Sequence, residues 1–99
     1  MNTATFKIAA LQDAIKSTAA NSTSPGLWSV ESGGDYVMLV WTCDADAAPE
    51  MYGDEPWSEW GGNAIIAASG LPEFDNSGGD GYTDKYGTEV VSQWVQWND

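Results

Sequence analysis

Residues Tyr36 to Cys43 (YVMLVWTC) carry an apolar or semi-polar side chain at almost every position. In an extended chain successive side chains alternate between faces. Val37, Leu39 and Trp41 then share one face, and Tyr36, Met38, Val40 and Thr42 share the other. A strand that is apolar on both faces cannot lie on the rim of a small sheet without wetting one of them. The run therefore predicts a central strand, with a helix covering one side.

That helix is expected upstream, from about Thr5 to Ala20. Phe6 or Ile8, Leu11, Ile15 and Ala19 recur at three- and four-residue spacing, with Gln12, Asp13, Lys16 and Ser17 between them. Thr3 or Thr5 can cap its start, and Asn21 to Gly26, which includes Pro25, ends it. Leu27 to Ser32 reads as a second strand, joined to the central strand (Asp35 to Cys43) through a Ser32-Gly33-Gly34-Asp35 turn. Downstream, Asp44 to Trp60 loses all periodicity around Pro49, Gly53 and Pro56 and reads as a long surface loop. Asn63 to Ser69 (NAIIAAS), bounded by glycines, is expected to be a short strand, with a helical turn as the other option. Leu71 to Gly87, rich in Gly and Asp, is expected to be a second long loop. Thr88 to Trp97 reads as a strand on its valines and tryptophans, although Val90, Trp94 and Trp97 would also line one helical face. The expectation is a single α+β domain over residues 1–99: an N-terminal helix on a three- to four-stranded antiparallel sheet, with two long acidic loops.

Charge is distributed unevenly over this plan. The formal net charge is −12, and from Glu31 onward fourteen carboxylates face one cation, Lys85. The first thirty residues hold only Asp13, Lys7 and Lys16. Such an imbalance opposes folding through self-repulsion and focuses a negative field on part of the surface. Solubility alone requires less. Halophilic adaptation would also lower the pI, but it spreads acids over the whole surface, whereas here they avoid the N-terminal third. At 42% hydrophobic, with six Trp and four Tyr, the chain is too apolar for a disordered acidic tail.

Most catalytic chemistry lacks its residues. There is no His, so the commonest general base and metal ligand near neutral pH is missing. Cys43 stands alone beside Asp44, whose charge disfavours a thiolate, and is read as a buried structural residue. No disulfide within the chain is possible, which suits a reducing cytoplasm. No G-x-S-x-G or phosphate-loop motif occurs. Asp54, Glu55 and Glu59 with Trp57 and Trp60 supply the residue types of a glycosidase, but a small single core offers little depth for a cleft and little burial to keep one acid protonated. A sugar-binding surface without catalysis is more economical. Asp75 to Tyr86 fails as an EF-hand, because Gly79 falls where a ligand is needed and Asp80 where the turn glycine is needed. Gly78-Gly79-Asp80-Gly81 departs from a β-roll repeat by one position and occurs once. No metal and no cofactor are expected.

What remains is acid interleaved with aromatics. The candidate partner-binding residues are Asp44, Asp46, Glu50, Asp54, Glu55, Trp57, Glu59 and Trp60 in the first loop, and Glu73, Asp75, Asp80 and Asp84 in the second. Tyr52, Phe74, Tyr82 and Tyr86 lie among them. Carboxylates at intervals imitate phosphates, and Trp and Tyr are favoured interface anchors. Trp28 and Trp41 are assigned to the core, and Trp57 and Trp60 to a wetter position. Three lysines and no arginine cannot neutralise enough phosphates for direct nucleic-acid binding. No signal peptide or membrane span is read, and anionic lipid would repel the surface, so the expected compartment is the cytoplasm.

In general appearance the chain resembles the small acidic inhibitors that bacteriophages and mobile elements direct against host defence, such as anti-CRISPR proteins, anti-restriction proteins and other DNA mimics. The resemblance is one of class and carries over no individual residue. It implies a non-enzymatic inhibitor in the host cytoplasm whose partner is a basic protein, a nuclease or a subunit of a CRISPR surveillance complex. The alternatives are an immunity protein that neutralises a basic toxin and a small carbohydrate-binding module.

Overall fold

In the computed structural model, which describes residues 3–48, 60–72, 74–83, 87 and 89–98, helices cover one face of a four-stranded antiparallel sheet. The elements are α1 (Thr3–Thr18), α2 (Ala20–Thr23), β1 (Leu27–Ser32), β2 (Tyr36–Asp44), α3 (Gly62–Ser69), β3 (Asn76–Thr83) and β4 (Glu89–Asn98). The strands lie in the order β1-β2-β4-β3, so the doubly apolar β2 is central, as its sequence requires.

The predicted N-terminal helix is present, and its end is set by local hydrogen bonding. Thr18 donates its hydroxyl to Ala14 O at 2.7 Å, and Ser17 donates to the same carbonyl at 3.2 Å. These hydroxyls occupy carbonyls that a continuing helix would bond through its backbone. Ala19 then turns to φ 54°, and the single turn α2 follows. The buried face is formed by Leu11, Ala14 and Ile15, with Ala4 and Ile8 half-buried beside them. Phe6 and Ala19, both candidates for that face, are exposed.

Two expectations are corrected. Asn63 to Ser69 is not a strand but the helix α3. The glycines on either side, read as strand boundaries, are helix ends: Gly61 has φ 107° and Gly70 has φ 73°. Gly70 closes the last turn by donating its N–H to Ala67 O at 3.3 Å. One face of α3 buries Ile65 in the core, and the helix packs against α1. The stretch from Leu71 to Gly87 is not wholly a loop, because Asn76–Thr83 forms the edge strand β3. Its residues have little strand propensity, and the ladder to β4 holds it instead. Gly78 is required there: a Cβ would lie 2.7 Å from Cζ2 of Trp94, its directly paired residue. The C-terminal segment takes the strand option rather than the helical one, as β4 (Glu89–Asn98).

Register places Trp28, Val30, Val37, Leu39, Trp41, Cys43, Val91, Val95 and Trp97 on the face beneath the helices. Among the described residues, each of the three buried indoles, those of Trp28, Trp41 and Trp97, donates its N–H to a connecting segment. Trp41 donates to Ser24 Oγ at 2.6 Å, Trp28 to Trp60 O at 3.2 Å and Trp97 to Pro72 O at 2.8 Å. The segments entering and leaving α3, and the one leaving α2, are thus tied to the sheet by the core's own donors.

Candidate functional site

β2 ends in Asp44, and the chain turns at once through Ala45, Asp46 and Ala47. Ala47 and Ala48 both donate backbone N–H groups to Asp44 O, at 3.0 and 2.9 Å, which makes the turn tight. Ala45 donates its N–H to Glu89 O at 3.0 Å, continuing the β2–β4 ladder by one bond past the strand end. This bond draws Glu89, the first residue of β4, beside the turn. Asp44, Ala45, Asp46, Ala47 and Glu89 line one shallow depression, so three acidic residues border it and no described cation does, although register sends the Asp44 and Glu89 side chains to opposite faces of the sheet. All three carboxylates belong to exposed residues. Asp80 occupies the β3 position opposite Ser92, near the same end of the sheet.

The other described candidates are elsewhere. Asp75 lies at the far end of the sheet, roughly 25 Å away at about 3.3 Å per residue along β2. It is exposed, but it also extends the ladder: its N–H donates to Gln96 O at 2.8 Å and its Oδ2 accepts the Asn98 N–H at 2.6 Å. Trp60, expected to be wet, is half-buried. Its ring stacks on Trp41 with centroids 5.8 Å apart and planes at 12°. Glu50, Asp54, Glu55, Trp57, Glu59, Glu73 and Asp84 lie outside the described residues. Comparison with known proteins adds no further candidate. No protein-family profile matches the chain, and searches of curated proteins and of solved structures return no match.

Glu89 was missed by sequence reasoning. It stands alone at a strand start, and only the pairing of β2 with β4 brings it beside the Ala45 turn. Cys43 is adjacent in sequence but faces the core, where it is buried and its Sγ lies 3.6 Å from Pro25 O. Burial, and secondarily the Asp44 charge, pushes its thiol above the ordinary cysteine value. Such a thiol is a poor nucleophile. Among the described residues no group of three or more Asp, Glu or Cys is placed to hold a metal ion. No described helix is long and apolar enough to cross a membrane.

Proposed function

We propose that this protein is a non-catalytic inhibitor. Its acidic end occupies a basic nucleic-acid-binding surface of another protein, a nuclease or a CRISPR surveillance subunit, and blocks access to that surface. The observation that carries this reading is that exposed Asp44, Asp46 and Glu89 border one depression at the end of the sheet with no described cation among its lining residues. Acids on both faces of one strand end and on the turn beside it present negative charge to an incoming basic surface. The field of the whole chain would speed the encounter.

The test is a displacement assay. Purified nucleases and CRISPR effector complexes are loaded with fluorescent duplex DNA or guide RNA and titrated with the protein at two salt concentrations. At least one target should release its nucleic acid, with inhibition that weakens between 50 and 300 mM salt. Asp44→Asn, Asp46→Asn and Glu89→Gln combined should weaken inhibition about tenfold or more. Undiminished inhibition by that variant would remove this end of the sheet from the interface. An immunity protein for a basic toxin would use the same surface, but it would bind one toxin whether or not nucleic acid competed. The sugar-binding reading loses ground at Trp60, because Trp41 covers one face of the platform it would use.

A further inference from the structure

The sheet has a second face. Val40 is only 5% exposed and Val90 only 3%, yet neither belongs to the cluster that α1 and α3 close over. Register explains this: both residues point away from the helices, Val40 pairing directly with Trp94 and Trp94 in turn with Gly78. Beside Val40 on this face are its pair Trp94 and, along β2, Met38 and Tyr36, all half-buried, while Leu27, at the end of β1 on the same face, is 63% exposed. Among the described elements, the helices pack on the opposite side and none packs here. A face centred on Tyr, Met and Trp has the composition of an interface core.

Its rim is acidic. Glu31 on β1 and Asp44 on β2 stand on this same face and are exposed, and Asp44 joins it to the acidic end described above. Lys7 and Lys16 are on α1, in the opposite layer. A second copy of the chain would bring another twelve negative charges against these. Lipid headgroups and nucleic acid would be repelled in the same way. We propose that this face, centred on Tyr36, Met38 and Trp94, seats a basic protein surface whose cations are interspersed with apolar side chains. The proposal adds a contact area to the acidic end and can fail without it.

The experiment sets hydrophobic contact against charge. Met38→Glu and Leu27→Glu each place a carboxylate on the face, and Gln12→Glu places one on the exposed side of α1. The probes are an alternating Leu–Lys peptide and an oligolysine of equal charge, titrated against each variant by calorimetry. If the face docks apolar side chains, Met38→Glu and Leu27→Glu weaken the Leu–Lys peptide about tenfold despite their added negative charge. Gln12→Glu leaves that affinity equal or tighter, and oligolysine does not distinguish the variants. Equal affinity of all three variants for the Leu–Lys peptide would overturn the proposal and leave the acidic end standing alone. Leu27→Glu keeps the test valid if Met38→Glu fails to fold, since Leu27 has little packing to lose. Sedimentation equilibrium supplies the remaining arm. A dimer of the unmodified protein that Met38→Glu disperses would assign the face to a second copy and overturn the basic partner.

Discussion

A methyl group at Gly26 would press into the carbonyl oxygen of Thr42 and lie 2.8 Å from Cε2 of Trp41. Neither obstacle can swing away, one being backbone and the other a fully buried indole. Gly26→Ala should therefore cost about 2 kcal/mol, read as a lower denaturant midpoint with an unchanged slope. Gly34, where a Cβ meets nothing within 4 Å and φ is not positive, is the control: Gly34→Ala should stay within about 0.5 kcal/mol. Cys43 makes a different prediction. Its folded thiol resists ionisation more than an unfolded one, so it contributes fully below the ordinary thiol range near pH 8.5 and loses that contribution as pH rises through the folded value. Unfolding titrations at pH 7 and pH 10 should show lower stability at the higher pH, and Cys43→Ala should flatten that difference. At this scale the sequence was informative where a residue's neighbours are also its chain neighbours. Cys43 and Asp44 are such a pair, whereas the wall that Gly26 meets comes from the paired strand and had to be seen in three dimensions.

The same distinction separates elements. α1, β1, β2 and β4 were legible because each carries its own periodicity, and β2 carries enough apolar surface to demand the centre of the sheet. α3 was misread because its eight residues are too few to show a helical stripe, and glycine punctuates either element. β3 was missed because Asn76–Thr83 contains no pattern at all, its conformation being borrowed from β4. If α3 is a core element rather than a decorated loop, Ile65→Ala should cost about 3 kcal/mol, since Ile65 is fully enclosed. A loss below about 1 kcal/mol in thermal or denaturant unfolding would contradict that packing. The candidate site divides in the same way. Clustered acids could be read from the chain, but their partition between two ends of the sheet, and the recruitment of Glu89, depend on strand pairing.

For the whole molecule, a net charge of −12 should be felt as repulsion that salt relieves. The thermal midpoint should rise between 10 and 300 mM NaCl and then level off, as Debye screening saturates. A protein adapted to brine would keep gaining stability into molar salt and would unfold at low salt, so differential scanning calorimetry over that range separates the two origins of the acidity. The strand order also governs how the fold is made. β4 fills the centre of the sheet between β2 and β3, yet it comes last of the four in chain order. During synthesis α1, β1 and β2 emerge well before it, leaving the inner edge of β2 without a partner. Through that interval the newly made segment carries most of the carboxylates. Neighbouring nascent chains would then repel one another while their apolar edges stand open, so the acidity would protect the protein before it has any partner to bind.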